Sequence, residues 1–99
     1  MLQKLSVLII EDEKNICDFV AKTLRSGDYK VITAQTGKEG LAIMTSALPD
    51  LVLLDLGLPD MDGIDIIKQT RMWSSLPIIV ISARIQEKEK VAALDAGAD

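Results

Sequence analysis

With 99 residues, 48% of them hydrophobic and 26% charged, the chain is sized for one globular domain with one core, and is neither disordered nor long enough for two. Its 11 Lys and Arg against 15 Asp and Glu leave a net charge of -4 with no basic cluster, which argues against direct nucleic-acid binding by these residues. There is no histidine for acid–base or metal chemistry, and the single cysteine, Cys17, permits neither an internal disulfide nor a Cys-rich zinc site.

The first predicted element is the apolar run Ser6 to Ile10, read as a strand that ends in Glu11-Asp12-Glu13. A helix follows in which Ile16, Phe19, Val20, Thr23 and Leu24 keep helical spacing, with Gly27 as its stop and Cys17 packed on it. The second strand, Tyr29 to Ala34, mixes polar and apolar residues and fits an outer position. Thr36-Gly37-Lys38-Glu39 is a capping box that opens a second helix, whose stripe is Leu41, Met44, Thr45 and Leu48 and whose end is Pro49. Leu51 to Leu54 is a third strand, continuously apolar and closed by Asp55. A helix from about Ile64 to Met72 comes next, then a fourth strand, Ile78 to Ile81. The last helix runs from about Glu87 to Ala96, with Val91 and Leu94 predicted to face inward. No apolar run approaches the roughly 20 residues that span a bilayer, and "VLII" is too short for a signal peptide, so the chain reads as soluble and cytoplasmic.

Strict alternation of strand and helix predicts an α/β fold, a doubly wound parallel sheet with helices on both faces and right-handed crossovers. In such sheets ligands bind beyond the carboxyl ends of the strands, where strand order reverses. Glu11 and Asp12 end the first strand, Asp55 ends the third, and Ser82-Ala83 ends the fourth. If the first and third strands are neighbours, three carboxylates meet, and an all-oxygen set without Cys or His suits a hard cation such as Mg²⁺. A carboxylate, a metal, a hydroxyl and an amide together suit a phosphoryl group, which Asp55 could accept as nucleophile.

Each residue taken alone has a plainer reading. Asp12 and Glu13 suit the positive end of the first helix dipole, Asp55 suits a loop, and Ser82 is an ordinary strand-end hydroxyl. Asp60 and Asp62 in "LPDMDG" read as turn residues beside Pro59 and Gly63. Co-occurrence at three strand ends favours the site.

"VLIIEDE", "PDLVLLDLGLPDMDG", "PIIVISAR" and "ALDAGAD" appear in order, and on these motifs essentially the whole chain resembles a bacterial response-regulator receiver domain of the winged-helix transcription-factor class. The resemblance implies a flavodoxin-like strand order and a phosphoryl group taken by Asp55 from a partner sensor histidine kinase. It further implies Mg²⁺ held by Asp12 and Asp55, with Glu11 acting largely through water and the Gly57 carbonyl as a backbone ligand. Ser82 matches the switch hydroxyl, and Ala83 the amide donor. Transcription would be controlled through a DNA-binding domain absent from these residues.

Receivers of this kind continue after "GAD" with a fifth strand, a lysine and proline, and a fifth helix. The expectation is therefore a receiver truncated before strand five, with order 2-1-3-4, lacking the lysine that pairs with the phosphoryl group. Strand four would be an open edge, and a homo-oligomer through that edge is expected. Two rivals remain. One is a phosphorylation-independent interaction module. The other is an aspartate-nucleophile phosphohydrolase, which would carry a second acid at position 57, where this chain has glycine.

Overall fold

The computed structural model describes residues 4–81 and 87–99, and strand and helix alternate along it. The elements are β1 (Ser6–Ile10), α1 (Lys14–Ser26), β2 (Lys30–Ala34), α2 (Gly37–Ala47), β3 (Leu51–Leu54), α3 (Gly63–Arg71), β4 (Ile78–Val80) and α4 (Glu87–Ala96). All strand pairs are parallel, and the sheet order is β2-β1-β3-β4. The chain thus steps outward from β1 to β2 and returns across β1 to β3. This is the predicted flavodoxin-like arrangement, and it makes the β1–β3 boundary the switch point of the sheet.

The central strands are apolar without alternation because both of their faces are covered. On one face Leu8, Ile10, Val52, Leu54 and Ile78 pack with Met44 of α2, Ile66 and Ile67 of α3 and Ala93 of α4. Side chains of this size stabilise the fold by about 1.5–3 kcal/mol each when fully buried. The other face is covered by α1, with Val7 and Ile9 against Cys17 and Ala21. There Leu51, Leu53 and Ile81 are only partly buried. Among the described residues, no helix is long and apolar enough to cross a membrane.

The structure corrects three helix faces. On α1 the buried residues are Cys17 and Ala21, flanked by Val20 and Leu24, while Phe19 is 71% exposed and Thr23 lies outside. A helix that lies close on a sheet does so through small side chains, and the phase that brings Cys17 and Ala21 inward rotates Phe19 out. On α2, Met44 is buried and Leu41 partly so. Thr45 instead turns its hydroxyl back to the Ala42 carbonyl, and Leu48 is an exposed left-handed C-cap. On α4, Val91 and Leu94 are 55% and 59% exposed, and Ala93 faces inward. Here α4 packs on α3 beside the short edge strand β4, and that close seat takes alanine.

Candidate functional site

The sheet's hydrogen-bond ladder extends past the strand ends and carries the acids to one place. Ile10 is in register with Leu54. One residue further, the Asp55 N–H donates to the Ile10 carbonyl at 2.9 Å, and the Glu11 N–H donates to the Ala34 carbonyl at 3.0 Å. Ile81 N–H bonds the Leu54 carbonyl at 3.0 Å, so β4 approaches the same rim. Backbone pairing, not side-chain attraction, therefore brings like charges together.

Glu11, Asp12 and Asp55 each offer a carboxylate oxygen within 4.8 Å of the others. Glu11 is 3% and Asp55 9% exposed, whereas Asp12 faces solvent. Among the described residues their polar support is thin. The Gly57 N–H donates to Asp55 Oδ1 at 3.2 Å, and the Glu13 N–H donates to Glu11 Oε2 at 3.3 Å. Burial first, and then the hydrogen bond and charge of Asp55, push Glu11 up from the usual 4.5 to about 7. Among the described residues the cluster crowds like charge, which the upward push on Glu11 records. Its donors are all oxygen and one side is open to water, which fits a hydrated hard cation such as Mg²⁺.

Gly57 leaves space over the Asp55 carboxylate, since a Cβ there would lie 3.9–4.0 Å from its oxygens. A cleft of about 510 Å³ opens beside it, between Leu56, Gly57 and Ile64 on one wall and Lys88 and Ala92 of α4 on the other. Ser82 and Ala83 lie outside the described residues.

The two aspartates read as turn residues do more than turn. Asp62 is the N-cap of α3, accepting the Ile64 N–H at 2.9 Å, a role that an aspartate just before a helix often takes. Asp60 accepts the N–H groups of Gly37 and Lys38 at 2.8 and 3.0 Å, capping α2 from another part of the chain. Nothing local in "LPDMDG" signals that second contact, because its partners are 22 and 23 residues away.

Comparison with known proteins agrees with this geometry. Residues 7–99 match the family model of the response regulator receiver domain. The chain belongs to that family. This receiver is 50% identical over 94 residues to the KDP operon transcriptional regulatory protein KdpE of Escherichia coli strain K12, covering 95% of the chain and 42% of that protein. It is also 50% identical over 93 residues to the transcriptional regulatory protein KdpE of Mycobacterium tuberculosis strain CDC 1551, covering 94% of the chain and 41% of the relative. The receiver thus spans about two-fifths of the length of these curated relatives. A CheY-like response regulator receiver domain protein from Methanospirillum hungatei JF-1 superposes with a TM-score of 0.91 at 30% identity, over 98% of this chain and 78% of that one. The likeness to KdpE accords with the wording of "LDLGLPDMDGIDIIKQTR" and "KVAALDAGAD".

Proposed function

We propose that Asp55 is the phosphoacceptor of this receiver and that Glu11, Asp12, Asp55 and the Gly57 carbonyl hold Mg²⁺. An Asp55 carboxylate oxygen attacks the phosphorus of a phosphohistidine on a sensor histidine kinase. The P–N bond breaks, its electron pair returns to the imidazole, and an aspartyl phosphate forms. When bound, Mg²⁺ supplies positive charge to the phosphoryl oxygens and the acids around them. Glu11 and Asp12 hold the charge that the metal meets, and Gly57 leaves the approach open. Ser82 and Ala83 take the hydroxyl and amide roles that the family motif gives those positions. The role is signalling by acceptance of a group, not turnover of a released substrate, and it belongs in the cytoplasm. The readout in the KdpE-like relatives is transcription, and here it would pass through parts of a regulator outside these 99 residues.

The observation that carries this reading is the convergence of Glu11, Asp12 and Asp55 within 4.8 Å in a chain of this family. Acetyl phosphate with Mg²⁺ should add the mass of one phosphoryl group to the intact protein, and Asp55→Asn should abolish the gain. No gain in a folded sample, or an undiminished gain in Asp55→Asn, defeats the assignment.

A second reading rests on a different surface. β4 is a three-residue edge strand, Ile79 on it is exposed, and beside it lies a groove of about 250 Å³ lined by Ala93, Leu94 and Ala98. Asp99 already takes the carbonyl and the N–H of Ile78, at 2.8 and 2.9 Å, so a second copy would meet the exposed Ile79 and the groove rather than a bare ladder, independently of phosphorylation. Sedimentation should then show a concentration-dependent dimer that Ile79→Lys disperses. A monomer at every concentration removes this reading.

A further inference from the structure

We infer that Asp60 is a positioning residue of the acidic site: its carboxylate fastens the β3–α3 loop to the first turn of α2 and so holds the Gly57 backbone against Asp55. The loop leaves β3 at Asp55 and enters α3 at Gly63. Leu56 and Leu58 anchor in the core, and Gly57 lies exposed between them. A glycine has no side chain to settle its orientation, so the ends of the loop must do so.

Both ends are tied. At the base, the Gly63 N–H donates to the Leu56 carbonyl at 3.2 Å, and a Cβ at 63 would lie 2.7 Å from Leu56 Cα, so α3 starts directly on the loop. At the apex, Asp60 takes two of the N–H groups that a helix start leaves unpaired, at 2.8 and 3.0 Å, while Thr36 Oγ1 takes the Glu39 N–H at 3.1 Å. A Cβ at Gly37 would lie 2.6 Å from Met61 Sδ, so the Met61 side chain at the apex packs directly on the start of α2. The N–H groups of Lys38 and Gly37 also hold the Asp60 carboxyl below its ordinary range, so the latch stays charged further into acid than a free aspartate would. Gly57 lies in the arc between these two ties, and its bond to Asp55 at 3.2 Å is long enough to depend on them.

The metal part of this inference rests on the proposed Mg²⁺ site, whereas the latch itself does not. The test uses the whole chain, ¹⁵N-labelled, as Asp60→Ala and Asp60→Asn. The control is Asp50→Ala, which removes a comparable contact at the opposite end of the sheet, where Asp50 Oδ2 accepts the Ser6 N–H at 2.8 Å. In Asp60→Ala the Gly57 amide order parameter should fall from the rigid range near ~0.85 toward ~0.6 without metal. The Mg²⁺ Kd measured by calorimetry should rise about tenfold. Asp60→Asn keeps one acceptor and should fall between, and it carries the test alone if Asp60→Ala does not fold. Asp50→Ala should change neither reading. A Gly57 order parameter no lower in the Asp60 variants than in Asp50→Ala overturns the inference. Failure of the unsubstituted protein to bind Mg²⁺ would refute the metal site, and the order parameter would still decide the latch.

Discussion

Two sets of carboxylates, joined by the loop that runs from Asp55 to Asp62, are treated in opposite ways. Asp60 and Asp62 are each filled by close backbone N–H donors, at 2.8–3.0 Å, and their charge is spent on the starts of α2 and α3. Glu11, Asp12 and Asp55 are instead drawn together by the sheet ladder, with backbone donors among the described residues at 3.2 and 3.3 Å. The first set shapes the loop. The second crowds like charge, which costs stability and, on the proposed reading, is available to a cation. On the proposed reading, what separates the two sets is how fully the described donors fill each carboxylate, not its place in a motif.

The comparison can be broken most sharply at Asp12, the exposed member of the rim. Asp12→Ala should weaken Mg²⁺ binding by more than about tenfold while leaving the metal-free melting temperature unchanged or raised. A lower metal-free melting temperature with Mg²⁺ affinity intact would make Asp12 a structural acid like Asp62.

A smaller effect sharpens the comparison at Glu11, which burial and Asp55 push up to about 7. The folded protein then keeps a proton that the unfolded chain gives up near 4.5. Stability from this group is fully present below about 4.5, falls as pH rises from there to about 7, and is level above. Urea midpoints of the metal-free protein should show this slope across that window, and Glu11→Gln should remove it. Equal slopes in the two proteins would mean that Glu11 titrates normally and that the rim is not short of positive charge.

Much of this molecule was legible before its structure. β1 and β3 match the apolar runs residue for residue, because strands covered on both faces leave an uninterrupted signal. β2 and β4 differ from prediction by one residue at an end. Acids directly after apolar strands put Glu11, Asp12 and Asp55 on one rim once β1 and β3 are neighbours, an order the family resemblance implied, and the Thr36 cap was visible in its local spacing. The helix faces were less legible. Periodicity marks Phe19, Val91 and Leu94 as apolar without saying what stands opposite them, and all three are exposed.

The sequence by itself determined the order of elements, the parallel sheet and the chemical type of the site, since these follow from local hydrophobic pattern and from which residues end each strand. Tertiary structure alone decided the phase of α1 and α4 and the partner of Asp60. Packing distance selects Cys17, Ala21 and Ala93 over larger neighbours, and the Asp60 bond closes across 23 residues with no trace in the local pattern. Asp55 could therefore be read as a strand-end acid along the chain, whereas the contact by which Asp60 ties its loop to α2 could not.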